Sequence, residues 1–286
     1  MFEGFTRSFV DTGEASICVR HGGTGPPLLL LHGHPQTHVM WEHLAPRFAS
    51  EFHVVAMDLR GYGDSSKPQT TPDHEPYSKR AMARDAVAVM RALGYERFDV
   101  AGHDRGGRVA YRLALDRPDS VGKIAVLDII PTWEHLRRAD MRFALGYWHW
   151  FFLAQPYDFP ERIIGADPDG FFLNRPRRRS VFSQEALSEY LRCYRDPRTV
   201  HAMCEDYRAA ASYDFALDAA DYGKKKIEAP LLALWAGDGQ VGNWYDVLGI
   251  WRDWAADVRG EPIPAGHFMA EEAPDPTYAA LRAFFR

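Results

Sequence analysis

The sequence predicts an α/β protein, in which helices cover both faces of a mostly parallel sheet and a helical cap is inserted into the chain. Short apolar runs alternate with segments of helical spacing up to about residue 131, and the alternation resumes near residue 222. This alternation is typical of a parallel sheet. Between these parts, aromatic and arginine residues recur at helical spacing without a strand-like run. We therefore expect a core of residues 1–131 and 222–286 and a cap of residues 132–221.

The composition narrows the class of protein. The 286 residues are 46% hydrophobic, which suits one large domain or a core with an insertion. A net charge of −5 argues against general nucleic-acid binding. Three scattered cysteines are too few for a disulfide framework or a zinc site, so we expect a reducing compartment. The chain shows no secretory pattern and no apolar run of the ~20 residues that a membrane helix needs, so a cytoplasmic protein is expected.

The first strands and helices follow from apolar runs and from their glycine and proline boundaries. Residues 5–25 predict an edge hairpin, because short alternating runs end in a Gly/Pro-rich turn. Continuous apolar runs predict buried strands, and regular apolar spacing predicts helices. The strands are expected at Leu28–Leu31, at His53–Met57, from Phe98 and at Lys123–Ile129. One helix is expected at 78–93, and another is expected from the turn after the Phe98 strand to about Arg117.

The last part of the chain repeats this pattern. A strand is expected at Leu231–Ala236, a helix at about Asn243–Ala256 and a short strand near Val258–Ile263. A tight loop, Pro264–Phe268, then carries a histidine and precedes the final helix. In the cap, the basic run at 177–179 is expected to face solvent rather than to bind a ligand.

The segment Phe98–Arg108 has the spacing of a nucleophile elbow. An apolar run ends in the sequence Gly-His-Asp-Arg-Gly at 102–106, and a helical segment follows. In such an elbow a sharp strand-to-helix turn exposes the central side chain, and glycines permit the close packing around it. The central residue is usually Ser, whereas here it is Asp104. A carboxylate suits displacement at a saturated carbon, with an ester to the protein as the intermediate.

Other polar residues follow the expected strand ends, which meet at one edge of a parallel sheet. His267, in the turn after the last strand, is the expected general base among the 12 histidines. Asp128 and Asp238 each follow a strand, and either can orient His267. The resulting order of nucleophile, acid and histidine is that of a hydrolase triad.

Together these motifs resemble the Asp-nucleophile branch of the α/β-hydrolase superfamily, and within it the fluoroacetate dehalogenases. The resemblance covers nearly the whole chain and rests on the elbow, His32–Thr37, Asp58–Ser65 and Gly266–Phe268. It implies the α/β-hydrolase fold, hydrolysis of haloacetates such as fluoroacetate and chloroacetate, no metal or organic cofactor, and a homodimer. It also favours Asp128 over Asp238 as the partner of His267.

Arg105 and Arg108 favour an anionic substrate. Haloalkane dehalogenases and epoxide hydrolases usually carry Trp directly after the nucleophile, whereas this chain has Arg105 there and Arg108 one helical turn later. Guanidinium groups hold a carboxylate in fixed geometry and offset its repulsion from Asp104. We therefore expect a small haloacid substrate with a free carboxylate.

The resemblance also implies the groups that would receive the leaving halide. His149, Trp150 and Tyr213 match the halide-binding trio and would offer two N–H donors and one O–H donor. The backbone N–H groups of His34 and Arg105 match the oxyanion hole. These dehalogenases usually carry an apolar aromatic residue at the position of His34, so an altered rate or substrate range is expected.

Other functions stay open from the sequence. An epoxide hydrolase also uses an Asp nucleophile but needs cap tyrosines to protonate the epoxide oxygen, for which Tyr147, Tyr157 and Tyr213 are candidates. A haloacid dehalogenase with poor activity on C–F bonds and a non-catalytic small-ligand receptor are further alternatives. The two arginines argue against the epoxide hydrolase, and the complete triad argues against the receptor.

Overall fold

An eight-stranded sheet forms the centre of the computed structural model, which describes residues 1–174 and 178–286. The strands are β1 Thr6–Asp11, β2 Ser16–Gly22, β3 Pro27–Leu31, β4 His53–Met57, β5 Phe98–His103, β6 Val121–Leu127, β7 Leu231–Ala236 and β8 Val258–Ile263. Their order in the sheet is β1-β2-β4-β3-β5-β6-β7-β8. The pairs β1–β2 and β2–β4 are antiparallel, and every later pair is parallel. The expected edge hairpin and mostly parallel sheet are confirmed.

Helices connect the strands. Before β7 they are α1 Ala45–Phe48, α2 Lys79–Ala92, α3 Arg105–Asp116, α4 Thr132–Arg137, α5 Met141–Gly146, α6 Trp148–Leu153, α7 Phe159–Ala166, α8 Pro168–Leu173, α9 Arg178–Val181, α10 Gln184–Tyr194, α11 Pro197–Ala209 and α12 Phe215–Asp221. After β7 they are α13 Gln240–Trp244, α14 Val247–Trp254, α15 Met269–Glu272 and α16 Pro274–Phe285. A π-helical turn, Ala210–Asp214, joins α11 to α12, and short 3₁₀ turns lie at His38–Trp41, Glu75–Tyr77 and Pro118–Ser120.

Both faces of the sheet are covered by apolar residues. Successive side chains of a strand point to opposite faces, and on β3 the residues Leu29 and Leu31 pack in one cluster while Leu28 and Leu30 pack in another. The first cluster includes residues of α2, α3, α14 and the chain between β6 and β7, and the second includes residues of α1, α15 and α16. The central strands are therefore buried on both sides, as their continuous apolar runs predict.

The described residues between β6 and β7 form helices α4–α12 and no strand of the sheet. We call this inserted segment the cap. Of the basic run at 177–179, residue 177 lies outside the described residues, and Arg179 is exposed. None of the helices in the described parts of the chain is long and apolar enough to cross a membrane.

Two expected boundaries differ from the structure. The helix expected at about Asn243–Ala256 is divided into α13 and α14, because Asp246 accepts a hydrogen bond from the N–H of Gly249 (2.9 Å) and so starts a new helix. The strand expected at Lys123–Ile129 ends at Leu127, because the next residue, Asp128, has a φ of +53° and turns the chain away from the sheet.

Candidate active site

Asp104 lies in the turn between β5 and α3 with a φ of +44° and a ψ of −111°. Its N–H donates to the carbonyl of Leu127 on β6 (3.2 Å), and its carbonyl accepts from the N–H of Arg108 (3.1 Å). The helix packs closely here, since a Cβ on Gly106 would lie 2.4 Å from the carbonyl oxygen of Leu31. The positive φ is unfavourable for a side-chain-bearing residue, and the surrounding sheet and helix must hold it. This is the geometry that the elbow motif predicts.

The Asp104 carboxylate is surrounded by donors and positive charge. Its Oδ2 accepts a hydrogen bond from the backbone N–H of His34 (3.0 Å). Burial by itself would raise the pKa of Asp104, but the charges of His267, Arg105 and Arg108 outweigh it and lower the pKa below the ordinary value. The group is therefore ionised at neutral pH, as a nucleophile must be.

His267 and Asp128 form a hydrogen-bonded pair beside Asp104. The Nδ1 of His267 lies 2.6 Å from Oδ2 of Asp128, while Oδ1 of Asp128 accepts from the N–H of Ala236 (3.0 Å). An ionised carboxylate only accepts, so Nδ1 of His267 donates to Asp128, and Nε2 is the nitrogen that takes up the second proton when the ring becomes charged. Asp238 also lines the cavity, but the described hydrogen bond of the histidine goes to Asp128.

His103, the residue before Asp104, also contacts His267. Its Nε2 lies 2.8 Å from the backbone oxygen of His267, and the two ring centroids are 4.6 Å apart. A carbonyl only accepts, so Nε2 of His103 donates. Burial and the charge of His267 lower the pKa of His103 to about 4, so this ring is neutral at neutral pH.

Arg105 and Arg108 lie on the first turn of α3 and are almost fully buried. Arg108 donates to the carbonyl of Ile130 (3.1 Å) and to Oγ1 of Thr132 (3.2 Å), and burial lowers its pKa. Arg105 lies 3.3 Å from Asp206, but its guanidinium nitrogens have no hydrogen-bond partner among the described residues. Buried donors of this kind are rarely left unsatisfied, and a bound carboxylate would satisfy them.

The cap supplies an aromatic wall opposite the elbow. His149 and Trp150 line the cavity. The ring of Tyr207 lies 5.8 Å from each of these rings and 5.3 Å from the ring of His34. The Arg105 guanidinium lies over the Tyr207 ring at 3.6 Å from its centroid, and that of Arg108 over Trp150 at 4.6 Å. Trp150 and Tyr207 thus cover the two arginines, and His149 packs beside Tyr207.

The structure does not bring Tyr213 to this wall, so the expectation for Tyr213 needs correction. Tyr213 lies in the π-helical turn after α11, and its side chain lies beside Arg80, which pairs with Asp116 at 2.8 Å. Tyr207, six residues earlier on α11, occupies the place expected for it. The sequence has a tyrosine at both 207 and 213, and residue spacing alone does not show which of them packs beside His149 and Trp150.

Sequence reasoning also missed a buried polar cluster behind Arg105. Asp206 accepts from the hydroxyl of Tyr62 (2.7 Å) and from the Lys79 ammonium, and it is fully buried. Its charge raises the pKa of Arg105 against the lowering effect of burial. The only sequence signal was that Asp206 directly precedes an aromatic residue in a helix.

A cavity of about 520 Å³ lies among these groups, and Arg108 lines it. Its lining includes Asp104, Asp128 and His267 from the core, and Tyr147, His149 and Trp150 from the cap. Of the tyrosines considered for epoxide protonation, only Tyr147 lines it, whereas Tyr157 is 72% exposed. The site is therefore a chamber lined by a buried carboxylate, a histidine–aspartate pair and the Arg108 guanidinium, with Arg105 buried next to it on α3.

This geometry on this sheet is that of an alpha/beta hydrolase. The chain matches the alpha/beta hydrolase fold family over residues 26–274 and belongs to that family.

Its sequence is 47% identical to a fluoroacetate dehalogenase from Burkholderia sp over 99% of this chain and 95% of the relative. It is 34% identical to a soluble epoxide hydrolase from Corynebacterium sp. (strain C12) over 92% of this chain and 91% of that relative. The crystal structure of ALR0039, assigned as an alpha/beta hydrolase, from Nostoc sp PCC 7120 superposes with a TM-score of 0.97 at 53% identity and covers 100% of this chain and 99% of that chain. The resemblance to the fluoroacetate dehalogenases is confirmed, and the epoxide hydrolase is the more distant relative.

Proposed function

We propose that this protein hydrolyses haloacetates to glycolate and halide through an ester formed on Asp104. The observation that carries the proposal is an ionised elbow carboxylate beside two buried arginines, both of which have unsatisfied donors. A second anion next to Asp104 is acceptable only where positive charge compensates both. The 47% identity to a fluoroacetate dehalogenase supports the same reaction.

In the first step Arg105 and Arg108 hold the substrate carboxylate. One oxygen of Asp104 attacks the α-carbon, the carbon–halogen bond breaks, and the halide leaves with the bonding electron pair. His149, Trp150 and Tyr207 are the donors that would replace the lost hydration of the halide. The product of this step is a carboxymethyl ester on Asp104.

In the second step His267 accepts a proton from water while Asp128 stabilises the imidazolium that forms. The hydroxide attacks the ester carbonyl of Asp104, and the N–H groups of His34 and Arg105 stabilise the oxyanion. Collapse releases glycolate, and the proton on His267 returns to the departing oxygen. One oxygen of Asp104 therefore comes from water.

The variant His267→Asn separates the two steps. We expect it to release about one equivalent of halide per site and then stop, because only the second step needs the base. Intact-mass spectrometry after incubation with chloroacetate would then show an added carboxymethyl group at Asp104. Halide release without an adduct at Asp104 would contradict the ester mechanism.

A direct halide assay with fluoroacetate and chloroacetate tests the substrate class and the preference between the two halides. An epoxide substrate such as styrene oxide provides the comparison with the alternative. Arg105 after the nucleophile argues against the epoxide hydrolase, which has to accommodate a neutral substrate. Turnover of the epoxide without halide release from either haloacetate would favour that alternative.

A cytoplasmic homodimer is part of the same proposal. Cys18, Cys193 and Cys204 are free and buried, which suits a reducing compartment. Large apolar side chains are exposed on the cap, among them Met141, Leu145 and Ile163, and a dimer contact there would bury them. Light scattering of the purified protein measures the oligomeric state.

A further inference from the structure

The loop that carries His267 is held by two side chains that the proposed mechanism does not use. The N–H of Gly266 donates to Oε2 of Glu272 (3.0 Å), and the N–H of Phe268 donates to Oε1 of the same carboxylate (2.9 Å). His103 donates to the carbonyl between them. The backbone groups on both sides of the histidine are thus bonded to side chains, and one carboxylate spans the loop.

The fit between the loop and Glu272 is close. A Cβ added at Gly266 would lie 2.6 Å from Oε2 of Glu272, so only glycine leaves the carboxylate in its present place. Glu272 ends the short helix α15 and also lines the cavity. Hydrogen bonds from N–H groups to an ionised carboxylate are stronger than neutral ones, and two of them restrict the loop more than one.

We propose that Glu272 is a positioning residue for the second half of the reaction. It fixes the backbone of residues 266–268 so that Nε2 of His267 points toward the ester carbonyl while Nδ1 stays on Asp128. Attack of Asp104 on the α-carbon does not need the base, so this first step does not depend on Glu272. The inference rests on the proposed function, since it assumes an ester intermediate.

The variant Glu272→Gln tests the inference. A glutamine keeps the size of the side chain but has one acceptor oxygen, so one of the two N–H bonds is lost. In single-turnover experiments with chloroacetate we expect halide release at the wild-type rate within about twofold, because the first step is independent of the loop. Glycolate formation should slow by about 10- to 100-fold, and carboxymethyl-enzyme should accumulate, because small displacements of a catalytic group are costly.

Gly266→Ala gives a second variant with the charge of Glu272 unchanged. Its methyl group displaces the carboxylate, so we expect the same selective loss of the second step. Glu271→Gln is the matched control. Glu271 is adjacent on α15, but it binds Tyr190 (2.8 Å) and Gln36 rather than the histidine loop. Both half-reactions of this control should remain at wild-type rates.

The possible outcomes separate the two proposals. If wild-type protein releases no halide from haloacetates, the proposed function fails before Glu272 is tested. If the wild type turns over and Glu272→Gln slows both half-reactions equally, or neither, the positioning role is wrong. A thermal melt of each variant shows whether general unfolding accounts for an equal loss in both steps.

Discussion

Asp104 and Asp128 are positioned at the ends of sheet strands by backbone hydrogen bonds to neighbouring strands, whereas the side chains of Trp150 and Tyr207, in the cap, are positioned by contacts between rings. The N–H groups of the two aspartates donate to strand carbonyls at 3.2 and 2.8 Å. Trp150 instead packs against aromatic rings of the cap and its surroundings at centroid distances of 5.6–6.5 Å, a contact that many sequences can make. The core half of the site is therefore fixed by local sequence and sheet register, and the cap half by packing.

The largest effects are expected from Arg105 and Arg108 in the core, because their charges act on the substrate carboxylate. Replacing Arg105 or Arg108 by Gln should lower kcat/KM for chloroacetate by about 100-fold, because each change removes a charged donor to the substrate carboxylate and reduces the positive charge that compensates Asp104. Steady-state halide release measures this. Wild-type kinetics in both variants would exclude the arginines as the carboxylate site.

Arg112→Gln is the control for these arginine variants. Arg112 is also buried on α3, but its Nη1 donates to Asp221 (2.7 Å) and Asp116 (3.4 Å), whereas the Arg105 guanidinium has no such hydrogen bonds among the described residues. Its loss should reduce thermal stability without raising KM.

An intermediate effect is expected in the cap. Tyr207→Phe removes a hydroxyl donor from the aromatic wall and should lower turnover of fluoroacetate by about 10-fold or more, since aimed donors stabilise developing charge strongly. Tyr213→Phe should leave turnover within about twofold, because that side chain lies beside Arg80 rather than beside His149 and Trp150. Fluoride release by the two variants compares the positions directly, and the reverse ranking would restore Tyr213 as the halide donor.

The smallest effect concerns stability and pH. Burial raises the pKa of Asp218, in the cap, to about 6, above its ordinary value of 3.8. The folded state then binds more protons than the unfolded state between these values, so the contribution of Asp218 to stability falls as pH rises from about 4 to above 6. The variant Asp218→Asn has no carboxyl group to ionise at this position. Its free energy of unfolding at pH 7, measured relative to pH 4, should therefore be higher than that of wild type by roughly 1–3 kcal/mol.

Denaturant unfolding of both proteins at the two pH values measures this difference. Asp58, at the end of β4, has the opposite shift, because positive charge and hydrogen bonds from His38 lower its pKa against the effect of burial. The stability that ionised Asp58 contributes is therefore lost as the pH falls, which is the opposite of the pH dependence expected for Asp218. Equal pH profiles of wild type and Asp218→Asn would show that the cap carboxyl ionises as freely as an exposed one.

Most of the fold could be predicted because its signals are local. The strand at His53–Met57 matches its apolar run, and the elbow follows from the glycines around Asp104. Tyr207 and Asp206 could not be predicted in the same way. They lie on α11, and the π-helical turn that follows shifts the register of Tyr213, so counting at 3.6 residues per turn does not show which tyrosine lies beside the arginines.

The sequence by itself determined the alternating strands and helices, the nucleophile at the elbow, the two arginines one turn apart and the histidine after the last strand. These depend on residue spacing within one element, where backbone geometry leaves few choices. The tertiary structure decided which acid meets His267, which cap tyrosine covers Arg105 and that Glu272 spans the histidine loop. Those contacts join segments far apart in the chain, and their geometry depends on how whole elements pack.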